Sequence, residues 1–177
     1  MSEQITVEFD VAATMRDGTI LRANIFRPAA GGPYPVALVR TPYGKDFASV
    51  LPFGDAIRLA RAGYIVVVQD VLGRFRSGGT WALFANEAAD GYDSVEWAAQ
   101  LPGSTGDVGM YGLSYLGFTQ WMAAQAAPPS LKAILLASAT SSRRLIARVK
   151  PPNMHRRVAR RQEGPSRTPA CSCVARS

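Results

Sequence analysis

Ser114 is the residue whose setting most resembles chemistry. It stands in "GMYGLSYLGFTQW", residues 109–121, with Gly112 before it and Gly117 after it, between a strand-like run and a helix-like run. A tight strand-to-helix turn pushes a serine into a strained, exposed place from which its hydroxyl can attack a carbonyl. The usual spacing puts the second glycine two residues after the serine. Here that position is Leu116, and the glycine comes one residue later. The other reading of the stretch is a serine at a helix N-cap, although no Glu or Gln follows at the capping-box position. Two further groups suit an attack by Ser114. The backbone N–H of Tyr115 opens a helix, where donors point outward at developing negative charge. Tyr43, in "RTPYG", could offer its phenol as a second oxyanion donor; the alternative is a loop tyrosine packed on the core. Acyl transfer through a serine requires neither a metal nor an organic cofactor.

The surrounding chain supplies elements able to hold these groups. Ile5, Val7, Phe9 and Val11 alternate with polar neighbours, as in a half-buried strand. Asp17-Gly18 signals a hairpin turn, and "LRANIFRP" returns from it. "VALVRTPY" reads as a buried strand, and 53–62 as a short helix stopped at Gly63. "YIVVVQD" is apolar on both faces, as central parallel strands are. A loop rich in Gly and Arg covers 71–84. In the helix that follows, Ala88, Tyr92, Val95 and Ala99 share one face, and Glu87, Asp90 and Asp93 suit its positively polarised start. "VGMYG" is a strand, "YLGFTQWMAAQAA" a helix halted by Pro128-Pro129, and "LKAILLASA" another buried strand. This alternation predicts an α/β fold, in which an N-terminal antiparallel hairpin leads into a mainly parallel sheet with flanking helices.

Charge divides the chain. Of its net +7, residues 1–142 carry −2 and residues 143–177 carry +9. From about Arg143 the hydrophobic period lapses and prolines accumulate, so 143–177 reads as an irregular basic tail, disordered by composition. Cys171 and Cys173 both lie there, too close together to suggest a disulfide framework. Ten basic residues in that tail raise a second possibility, a non-catalytic protein binding nucleic acid or acidic surfaces. No specific nucleic-acid module accompanies them, and aromatics for base stacking are missing from the tail. Gly106, Gly109 and Gly112 do not form a dinucleotide fingerprint, and no Walker lysine is present. The N-terminus shows no basic start followed by an apolar stretch, and no run approaches the ~20 apolar residues of a membrane span, so a cytoplasmic protein without membrane partners is expected. Oligomeric state is not legible.

Taken together, "MRDGTILRANIFRP", "PYPVALVRTPYGK", "LARAGYIVVVQDVLGRFRSGGTW", "EAADGYDSVEWAAQLP" and "GDVGMYGLSYLGFTQWMAA" resemble the CocE/NonD group of α/β-hydrolases, which includes cocaine esterase, α-amino-acid ester hydrolases and S15-type Xaa-Pro dipeptidyl-peptidases. The resemblance runs from about Ile5 to about Ser142. It implies a partial α/β-hydrolase domain over 1–142, with Ser114 as nucleophile in a Gly-x-Ser-Tyr-x-Gly elbow. The Tyr43 phenol and the Tyr115 backbone N–H would form the oxyanion hole, and the substrate would be a small ester or peptide. Because Tyr115 would act through its backbone, its side chain should matter less than that of Tyr43. Two positions depart from the pattern: Leu72 where arginine is usual, and Gly79 where an acid is frequent. A hydrolase of this fold orders its triad Ser, acid, His. After Ser114 the sequence holds one acid, Glu163, and one histidine, His155, in the reverse order and inside the basic tail. The expectation is therefore a truncated, inactive fragment. The Arg/Pro/Ser/Ala composition after 142 suggests a shifted reading frame, which the coding DNA would test.

Overall fold

The computed structural model describes residues 4–49 and 55–136, and the backbone of 137, 138 and 141–148. Strand β1 (Ile5–Thr14) and strand β2 (Ile20–Pro28) form the antiparallel hairpin. Its turn closes through Met15 N–H to the Thr19 carbonyl and Thr19 N–H to the Asp17 carboxylate, and Gly18 takes a φ of +84° that favours glycine. Strand β3 (Tyr34–Thr41), helix α1 (Lys45–Ala48), helix α2 (Ala56–Arg61) and strand β4 (Ile65–Asp70) follow. Asp55 caps α2 by accepting from the Arg58 N–H. Beyond the 71–86 loop come helix α3 (Glu87–Ala99), strand β5 (Ser104–Leu113), helix α4 (Tyr115–Ala126), strand β6 (Leu131–Ser138) and strand β7 (Ser141–Arg148). Helix α4 ends at Ala127 in the left-handed conformation, just before Pro128-Pro129. Among the described residues no helix is long and apolar enough to cross a membrane.

The sheet order is β1-β2-β4-β3-β5-β6-β7. Its centre, β4-β3-β5-β6, is parallel, and β1-β2 and β7 flank it antiparallel. The α/β architecture expected from the alternation of elements is the one found. The first residues of the expected irregular segment, 143–148, belong to strand β7, which pairs with the edge of β6; residues 149–177, with His155, Glu163, Cys171 and Cys173, lie outside the described residues. Period-two alternation sorts the sheet's side chains between two cores. Val36, Leu38, Ile65 and Val67 pack with Val95, Ala98 and Ala123 of α3 and α4. Ala37, Val39, Val66 and Val68 pack with Ala48 of α1 and Ala56 and Ala60 of α2. The same alternation carries Arg40 and Gln69 onto the α3/α4 face and Asp70 onto the α1 face, all three without solvent exposure.

That placement alters the expected face of α3. Val95 is buried, but Ala88, Tyr92 and Ala99 are only half-buried; the buried face is Glu87, Asp90, Gly91, Ser94, Val95 and Ala98. Polar residues turn inward because Arg40 and Gln69 lie beneath them and need partners. Glu87 and Asp90 are thus interior groups, beyond any service to the helix dipole.

Candidate active site

Strand β3 has β4 on one side and β5 on the other, so successive crossovers leave it in opposite directions. At such a switch point the loops diverge and open a crevice at the carboxyl ends of the strands. Tyr43 follows β3 and Ser114 follows β5, and these strands pair in parallel. The two residues therefore lie at the same edge of the sheet, at the switch point.

Ser114 is exposed, with φ 55° and ψ −124°, a combination that residues with a Cβ rarely adopt. It occupies the N-cap position of α4, yet its side chain makes no cap hydrogen bond. The α4 start is held instead by its carbonyl, which accepts from Gly117 and Phe118 N–H at 2.9 and 3.1 Å. Gly112 makes the turn possible. Its φ is +141°, and a Cβ there would lie 2.5 Å from the Leu116 Cβ. Gly117 is less constrained: its nearest neighbour would be the Leu136 Cδ2 at 3.4 Å.

Tyr43 is exposed on a loop fastened at several points. Its N–H donates to the Thr41 hydroxyl, Val71 N–H to the Thr41 carbonyl, and Arg74 Nε to the Pro42 carbonyl. Two residues on, Lys45 N–H donates to Asp70 Oδ1 at 2.6 Å. Burial pushes the Asp70 carboxyl above the usual range, against the pull of that backbone N–H and the Lys45 charge. Lys45 Nζ is itself buried against Asp10 and Asp46, at 2.8 and 3.3 Å.

Beneath the elbow lies a buried polar network. Tyr115 O–H donates to Glu87 Oε1 at 2.9 Å, and Arg40 Nη1 meets Glu87 Oε2 at 2.7 Å. Arg40 Nε donates to Gln69 Oε1, which also accepts from Ser94 O–H. Burial, then the neighbouring Glu87 charge, pushes the Tyr115 phenol up to about 12, so it keeps its proton and remains a donor. Phe84 stacks on the Tyr115 ring at 5.3 Å between centroids, and Phe118 meets both rings.

The sequence model of the X-Pro dipeptidyl-peptidase (S15) family matches residues 17–149. The chain belongs to that family. Members of S15 are hydrolases, and the chain is similar to cocaine esterase of Rhodococcus sp. (strain MB1 Bresler), at 42% identity over 131 residues, 73% of this chain and 23% of that protein. Among solved structures it is similar to a CocE/NonD family hydrolase from Staphylococcus aureus, with a TM-score of 0.68, 35% identity and coverage of 73% of this chain and 27% of the other. An alpha-amino acid ester hydrolase gives a TM-score of 0.66 at 30% identity, over 73% of this chain and 24% of that one. The chain thus spans about a quarter of the length of these S15-type relatives.

Within this S15 chain, Tyr43, Ser114 and Tyr115 lie at one edge of the sheet. His155 falls outside the described residues. The two departures, Leu72 and Gly79, touch one another: Gly79 has φ +85°, and a Cβ there would lie 2.5 Å from Leu72 Cδ1. Leu72 also packs against the small core of Ala13, Met15 and Leu21. An apolar side chain at 72 and a missing one at 79 form one compensated contact. Sequence reasoning missed Arg40, Glu87 and Asp70. An arginine inside the run "VALVRTPY" was the available signal, because a charge in a buried strand demands an opposite charge nearby.

Proposed function

We propose that Ser114 is the nucleophile of a serine hydrolase site acting on esters or amides of small molecules or peptides. In acylation, Ser114 Oγ forms a bond to the substrate carbonyl carbon and gives its proton to a base. The carbonyl oxygen becomes an oxyanion facing the Tyr115 N–H and the Tyr43 phenol. The alcohol or amine then leaves with a proton, and water releases the acyl group from Ser114. The observation that carries this reading is the Ser114 backbone: exposed, strained at φ 55° and ψ −124°, at the switch point, with a hydroxyl that caps nothing. Strain of order 1–3 kcal/mol is held where the surroundings fix it, and here Gly112 and the α4 hydrogen bonds do so.

No described residue is assigned the role of base, and the only histidine in these 177 residues is His155. Activation by the oxyanion donors alone leaves roughly 10³–10⁴-fold over water in triad enzymes that have lost a member. We therefore expect slow turnover by this chain alone, together with measurable reaction at Ser114 toward a strong electrophile. A fluorophosphonate probe followed by peptide mass spectrometry checks this. The adduct should map to Ser114 and disappear in Ser114→Ala; labelling that persists in Ser114→Ala, or is absent from a folded parent, sinks the proposal.

A further inference from the structure

Tyr115 is held on three sides. Phe84 covers one face at an interplanar angle of 16°, Phe118 lies at 5.7 Å, and the ring's O–H reaches Glu87. Its side chain is buried, although it belongs to the first residue of α4 and adjoins an exposed serine. Glu87 is likewise the first residue of α3, so the tie joins two helix starts, 28 residues apart in sequence, at the sheet edge where Ser114 sits. The carboxylate serves two partners with separate oxygens: Oε1 accepts from Tyr115, and Oε2 takes the Arg40 guanidinium. Arg40 in turn is fixed by Gln69 Oε1 at 3.0 Å and by the Glu87 carbonyl at 3.3 Å. A buried ion pair is a poor source of net stability, since desolvation of both charges offsets their attraction. What it does supply is direction. A carboxylate locked by Arg40 presents its second oxygen in one place, and Tyr115 must come to it.

From this we infer that Glu87 is a positioning residue for the Ser114 site. Through the Tyr115 phenol it fixes the backbone N–H that faces the oxyanion, and Arg40 fixes Glu87. The inference rests on the reading of Ser114 as nucleophile. It reverses the sequence-based expectation for Tyr115: the side chain matters because it aims the backbone. An oxyanion donor works only if it already points where charge develops, so a small displacement should slow bond formation without weakening probe binding.

The test compares the full chain with Tyr115→Phe, Glu87→Gln and the double variant. Tyr34→Phe serves as control, since it removes a tyrosine hydroxyl that donates to the Ala30 carbonyl at the opposite end of β3. Two quantities are read: kinact and KI for a fluorophosphonate at Ser114, and amide exchange at Gly117 and Phe118, whose N–H groups bond to the Ser114 carbonyl. Tyr115→Phe should lower kinact about tenfold or more with KI nearly unchanged, and should speed both amides. The double variant should lose no more than its worse single variant, because both act through one bond. Tyr34→Phe should match the parent. If Glu87→Gln does not fold, because Arg40 loses its 2.7 Å partner and keeps only Asp90 at 3.9 Å, Tyr115→Phe alone decides. Parental kinact and exchange in Tyr115→Phe, a change in KI alone, or additive losses in the double variant would overturn the inference. If the parent is not labelled, the nucleophile reading has failed. The exchange data then decide the tether separately: faster exchange in Tyr115→Phe but not in Tyr34→Phe upholds it, and equal exchange removes it.

Discussion

Gly112 and Gly117 flank Ser114 in sequence but do different work. At Gly112 both φ, at +141°, and the 2.5 Å approach to the Leu116 Cβ forbid a side chain. Gly112→Ala should cost at least about 2 kcal/mol, combining backbone strain with a contact that cannot relax by rotating a side chain. Gly117 lies inside α4 with ordinary contact distances around it. Gly117→Ala should leave stability within about 1 kcal/mol of the parent or raise it, because alanine is the better helix former. Urea unfolding of the two variants checks this, and equal losses would mean that the spacing of the two glycines, rather than the geometry at Gly112, sets the turn. The elbow was legible because its demands fall on neighbouring residues: a small residue before the serine and a helix start after it. The tie from Tyr115 to Glu87 was not, since nothing local in either sequence announces a partner 28 positions away.

At the scale of the element, β4 and α3 mark the limit of pattern reading. All six residues of β4 are buried, as its apolar run predicted. On α3 the apolar residues pointed to one face and the fold chose another, because Arg40 recruited Glu87 and, at 3.9 Å, Asp90. Hydrophobic periodicity does not register a buried charge seeking its opposite. The choice has a measurable consequence. Burial pushes the Asp90 carboxyl up from 3.8 to about 6, with Arg40 opposing and Glu87 adding to the rise. The folded state thus binds this proton more tightly than the unfolded chain does. Asp90's contribution is favourable at low pH and is lost as pH rises from about 4 through about 6; a two-unit shift corresponds to about 3 kcal/mol. Asp90→Asn removes the titration. Its urea midpoint should exceed the parent's at pH 8 and fall back toward it at pH 4.5. A difference that does not vary with pH would assign the effect to lost packing instead.

Across the whole molecule, the family match and the charge distribution divide the chain at nearly the same place. The S15 match ends at residue 149, and the last described strand ends at Arg148. Residues 1–149 carry a net charge of +1, against +7 for the whole, so six units of positive charge belong to the last 28 residues. Every group assigned a part at Ser114 (Arg40, Tyr43, Asp70, Glu87 and Tyr115) lies before that division and is held by elements also before it. If the site depends only on those elements, its reactivity and the chain's polyanion binding should be separable. A variant ending at residue 149 should be labelled at Ser114 at the parent's rate. On heparin it should elute at markedly lower salt, because non-specific binding to a polyanion follows the number of basic groups that can displace its counterions. Retention that falls while labelling stays constant would make the basic residues an electrostatic addition to a hydrolase scaffold. Labelling lost together with retention would show that the elbow depends on residues after 149, and the assignment of the site to the S15 portion alone would have to be given up.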